Sequence, residues 1–172
     1  MKTKLLFTIF LTGIFTFQLL ATPGVPISKK HYTKEEAITK IKEIRKKTKF
    51  NIEANKQFEK IIENASCNFG SIVYYTELSI AIGYHTELFI SIADIASKSK
   101  NGIKYVDEIA ELAGMKLAET GGLVDLAKQA SRAATTDEIK KVEDEIVKLQ
   151  STAEFKTIQE AISKAESDRE NK

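Results

Sequence analysis

The segment from Ser71 to Ala96, SIVYYTELSIAIGYHTELFISIADIA, limits what this chain can fold into more than any other feature. It is 26 residues long, dense in apolar side chains and bounded by polar sequence on both sides. Read at helical spacing, Tyr74, Leu78, Ala81, His85, Leu88, Ile92 and Ile95 form one row. Tyr75, Leu78, Ile82, His85, Phe89, Ile92 and Ala96 form the next. Two adjacent apolar rows make the wide stripe that a core helix of a bundle needs. Thr76, Gly83, Glu87, Ser91 and Asp94 fall opposite and leave one edge for water. The runs SIVYY, LSIAI and LFISIA also alternate as strands do, and β-branched residues suit a pleated surface. The rows persist through three turns and more with Gly83 as the one, weak, breaker, so a single central helix is expected.

The same segment is long enough to cross a bilayer. Its strongly apolar residues together favour insertion by roughly 5 kcal/mol. One acid near mid-span, such as Glu87, costs about 2.5–3.5 kcal/mol, before Glu77, Asp94 and His85 are counted. The balance is near zero or worse. A core helix is the expectation, and insertion of residues 71–96 into a membrane is the alternative.

Upstream, Lys2 and Lys4 precede an apolar run from Leu5 to Leu20 that ends at Ala21. A cationic start, a run short of a comfortable span and a small residue to cleave after mark a secretory signal peptide, although Leu19 is large for its place in the cleavage site. Residues 1–21 are expected to be a signal peptide and 22–32 a linker holding both prolines. Residues 33–167 then form a single helical domain, and 168–172 a frayed tail. No cysteine follows the apolar run, so a lipid anchor is unsupported. The expected location is secreted, periplasmic or cell-surface.

Helix signals follow in order. Thr33 with Glu36 makes a capping box, in which the threonine oxygen and the glutamate satisfy each other's backbone amides. Ala37, Ile41 and Ile44 continue one face, and Phe58, Ile61, Ile62 and Ala65 make another. Asn64–Gly70 reads as the connection into the central helix, and the polar turn after Ala96 ends at Gly102. Val106, Ile109, Ala110, Ala113 and Leu117 form a small-residue face, which Gly121 and Gly122 are expected to stop. Leu123, Leu126, Ala127 and Ala130 mark a shorter helix. Thr135 with Glu138 is a second capping box, opening a last helix whose apolar row slips in phase before Phe155. The absence of tryptophan and the scarcity of glycine and proline suit a bundle better than a sandwich or barrel. The expected fold is all-α, a bundle of about four to five helices around the central apolar one.

Charge is uneven. Ser28–Asn64 holds 11 Lys and Arg against 6 Asp and Glu, and Asn101–Lys172 holds 11 against 15. The densest basic run, Lys40, Lys42, Arg45, Lys46, Lys47 and Lys49, is the candidate partner-binding site for an anionic surface or a protein. A solvated face, or packing beside the acidic later helices, is the plainer account of it. Near-neutral overall charge and few aromatics among the lysines argue against nucleic acid.

Chemical equipment is sparse. His85-Thr86-Glu87 lacks the cysteine pair that a zinc deaminase needs, and no second histidine or cysteine stands at ligand spacing. Neither Glu77 nor Glu87 has a histidine three residues on, as a di-metal bundle requires. No nucleophile elbow, phosphate loop or dinucleotide fingerprint occurs. Cys67, the single cysteine, forms no internal disulfide and is expected to be buried beside Phe69, a covalent dimer being the alternative. His85 is expected to be a core histidine.

These readings point to a secreted or cell-surface interaction module without catalytic activity, cofactor or metal. The alternatives are a structural subunit of an envelope or extracellular apparatus and a membrane-active protein. A membrane and a homo-oligomer stand as further partner classes.

Overall fold

Thr33 starts the first helix. In the computed structural model, which describes residues 30–47, 52–82, 85–113 and 120–170, the Thr33 hydroxyl accepts from the Glu36 amide at 3.2 Å, and the Thr33 amide donates to the Glu36 carboxylate at 2.8 Å. Helix α1 (Lys34–Lys47) then buries Ala37, Ile41 and Ile44 and ends on Arg45, Lys46 and Lys47, where the helix dipole favours cations. Helix α2 (Ile52–Asn64) packs against it and buries Ala54, Phe58 and Ile62. The expected signal peptide and most of the expected linker lie outside the described residues.

The central segment departs from its expected form. It folds as two helices, α3 (Phe69–Ile82) and α4 (Thr86–Lys98), with His85 before α4 in the left-handed region at φ 56°. These two pack together more extensively than any other pair of elements. A continuous helix of this length would span about 39 Å and leave much of both apolar rows beyond the reach of neighbours. Broken, each half finds its own. Helix α3 touches α1, α2, α4, α5 and α8, whereas α4 touches α2, α3, α5 and α6. At 14 and 13 residues, each half is about 20 Å long, short of a hydrocarbon core of about 30 Å. Among the described residues no helix is long and apolar enough to cross a membrane.

On α3 the water edge expected at Thr76 is absent, and Gly83 lies outside the described residues. All residues from Ser71 to Thr76 are buried, and Thr76 is fully so. The Thr76 and Ser79 hydroxyls are satisfied within the helix: Thr76 donates to the Ile72 carbonyl at 2.9 Å and Ser79 to the Thr76 carbonyl at 2.8 Å. On α4 the expected edge is present, with Glu87 exposed and Ser91 and Asp94 half-buried.

Helix α5 (Ile103–Leu112) buries Val106, Ile109 and Ala110, and α6 (Thr120–Arg132) buries Leu123, Leu126, Ala127 and Ala130. Gly121 and Gly122 are not stops; they lie in the first turn of α6. Helix α7 (Thr136–Gln150) opens on the second capping box, with the Glu138 amide donating to Thr135 at 3.3 Å. The Glu138 carboxylate accepts from the amides of Ala134 and Thr135, and these two bonds hold its pKa below the usual range. The phase slip beyond Leu149 is a break. Ser151 and Thr152 separate α7 from α8 (Ala153–Glu170), and Thr152 caps α8 by accepting from the Phe155 amide at 3.3 Å. The bundle is all-α, with eight helices among the described residues in place of the four to five expected. One apolar core runs through it from Ala37 to Phe155.

Gly102 sits where α5 begins, at φ 70°, and a Cβ there would overlap the Ala130 carbonyl oxygen of α6. Gly121 has open space around it. Gly102→Ala should therefore lower stability by more than about 2 kcal/mol, since left-handed strain and the clash add. Gly121→Ala should raise it by about 0.4–1 kcal/mol. Urea denaturation of the two variants checks the opposite signs.

Candidate functional site

The basic run lies on α1, and packing divides it. Arg45 Nη1 pairs with Glu59 of α2 at 2.7 Å, and Lys42 Nζ pairs with the other oxygen of the same carboxylate at 3.3 Å. Glu59 is nearly buried, so both cations tie α1 to α2. Lys40 is half-buried. Lys46 and Lys47 are exposed and make no ion pair among the described residues. Lys49 lies outside the described residues. Among the described members of the patch, Lys46 and Lys47 thus form an exposed pair at the end of α1, while Lys42 and Arg45 hold the helix that carries them.

On other helices an acidic groove opens that no local pattern announces. It lies between α5, α7 and α8 and encloses about 850 Å³. Ile146, Val147 and Phe155 contribute apolar surface to its lining, and Val147 is 60% exposed. Glu108, Glu111, Glu143, Asp144 and Glu160 line it against two cations, Lys104 and Lys156. Several of these carboxylates are held in place. Tyr105 donates to Glu143 at 2.6 Å, and this bond raises the phenol's pKa. Glu111 accepts from Tyr74 at 3.3 Å and from Gln159 at 3.4 Å.

Tyr74 leads inward to a second polar feature. Its neighbour Tyr75, fully buried on α3, donates to Asp107 Oδ1 of α5 at 2.5 Å. Burial above all, then the Asp107 charge and this bond, push the Tyr75 phenol well above its usual range. Asp107 stands on the buried face of α5 among Val106, Ile109 and Ala110, where sequence offers no partner. Its partner comes from 32 residues away.

The other residues singled out in the sequence take structural places. His85 is half-buried before α4, not in the core; histidine, like asparagine, tolerates the left-handed region better than most residues. Cys67 is half-buried, its sulfur 3.4 Å from the Ser99 carbonyl. Beside it Asn68, also left-handed at φ 60°, donates to the carbonyls of Ala96 at 2.8 Å and Ser99 at 2.7 Å. That side chain closes the end of α4, a role the sequence reading did not give it. Among the described residues no three His, Cys, Asp or Glu side chains gather as a metal site. No protein-family model, curated protein or solved structure matches this chain.

Tyr75→Phe removes the phenol donor from buried Asp107 and should destabilise the protein by about 1–3 kcal/mol. The folded-state pKa of Tyr75 is raised, so this group's stabilisation is complete below the ordinary phenol value of about 10 and is lost as pH rises above it. Stability curves in the alkaline range should therefore fall less steeply for Tyr75→Phe than for the parent.

Proposed function

We propose that this protein is an exported, non-catalytic helical module that engages an anionic partner through the end of α1. The observation that carries this reading is the exposed pair Lys46 and Lys47, which has no acidic partner among the described residues. Lys42 and Arg45 are engaged with Glu59, which fixes the helix that presents the pair. The apolar side chains of α3 and α4 are largely enclosed, which leaves charged helix faces as the working surface. A second reading, a subunit of an envelope or extracellular assembly, is favoured by two large apolar side chains exposed among the described residues, Ile52 and Val147.

Binding of the purified protein to heparin-agarose and to anionic vesicles tests the first reading. Lys46→Glu with Lys47→Glu should weaken retention by more than about tenfold, since each cation near an anionic surface contributes about 1 kcal/mol. Retention unchanged by the double substitution would remove α1 as the binding surface.

A further inference from the structure

We propose that the groove between α5, α7 and α8 receives a basic segment of a partner protein, one apolar side chain flanked by lysine or arginine. The groove encloses about 850 Å³, and its lining sets five carboxylates against two lysines. One of those lysines, Lys104, already lies 3.8 Å from Glu108. Val147 stands 60% exposed in this setting. Ile146 and Phe155, which line the groove with it, are buried and join it to the core.

The apolar and acidic parts belong to one surface. Glu143 and Asp144 precede Val147 by four and three positions on α7, the spacing that sets side chains on one helix face. Glu143 is held by the Tyr105 hydroxyl at 2.6 Å, and Glu111 by Tyr74 at 3.3 Å and Gln159 at 3.4 Å. Carboxylates fixed beforehand lose little freedom when a cation arrives. Asp144 and Glu160 are exposed and make no ion pair among the described residues.

Two features select the occupant. Among the described residues no three His, Cys, Asp or Glu side chains gather as a metal site, so the negative charge is spread along the groove and not focused on one ion. An exposed valine flanked by carboxylates matches an apolar side chain flanked by cations, the apolar centre and charged rim of a specific interface. The end of α1 contributes none of the lining residues, so the groove is a surface additional to the anion-binding one.

Fluorescence anisotropy of short labelled peptides titrated with the purified protein tests this directly. A peptide of lysine and leucine should bind, and raising the salt should weaken it because the rim pairs are screened. A lysine and serine peptide of the same charge, and spermine measured by competition, should each bind at least about tenfold more weakly, since neither covers Val147 with a branched apolar side chain. Asp144→Lys with Glu160→Lys should weaken the lysine and leucine peptide by at least about tenfold. Val147→Ser should weaken it by roughly fivefold. Lys46→Glu with Lys47→Glu should leave it no weaker, which separates this surface from the end of α1.

Absence of binding, binding unchanged by the Asp144 and Glu160 substitutions, or equal binding of the serine peptide or of spermine would overturn the proposal. Should the groove variants lose their helical circular dichroism, the comparison of the three ligands on the unsubstituted protein decides alone.

Discussion

A helix buried along most of its described length must be surrounded before it is stable, and α3 is such a helix, with Phe69, Gly70, Glu77 and Ile80 only half-buried. Six consecutive residues, Ser71 to Thr76, are buried, together with Leu78 and Ser79. Each large apolar side chain among them stabilises the fold by about 1.5–3 kcal/mol once covered, and none is covered by α3 itself. Five other helices supply the cover, so their placement follows from the demands of this one. Within that enclosure the Tyr75 hydroxyl needs an acceptor, and Asp107 of α5 provides it at 2.5 Å. The bond sets where α5 lies along α3, as an apolar contact alone would not.

The surface follows from the same constraint. With the apolar residues of α3 and α4 directed inward, charged residues are left to cover the outside, and they are not evenly spread. Helix α1 carries six cations against three acids, while α5, α7 and α8 present the carboxylates that line one groove. The Glu59 carboxylate, shared by Lys42 and Arg45, holds α1 on α2 so that its final lysines project outward. Among its described residues, a chain close to neutral overall thus carries a basic helix end on α1 and an acidic groove between α5, α7 and α8.

Signals confined to a few neighbouring residues were legible in the sequence. Both capping boxes form as their spacing requires, because their partners lie within one turn. The apolar faces of α1 and α6 were likewise readable from their own residues. The break at His85 was not, because the two rows run through it without loss of phase. The slip beyond Leu149 registered as a bend, while the Thr152 cap makes it a break. Gly121 and Gly122 suggest a stop, yet a first helical turn accommodates them. Of the basic run, sequence gives the charges but not the division imposed by Glu59. The groove was out of reach altogether, since its lining comes from helices separated by dozens of residues and joined only by packing.

What holds the bundle together is the closure of the other helices around α3. Native-state amide hydrogen exchange, followed residue by residue in low denaturant, measures it directly. Amides from Val73 to Leu78 should exchange only through global unfolding, while those of α7 open at lower free energy. Amides of α3 that exchange through a local opening, ahead of those in α7, would contradict it.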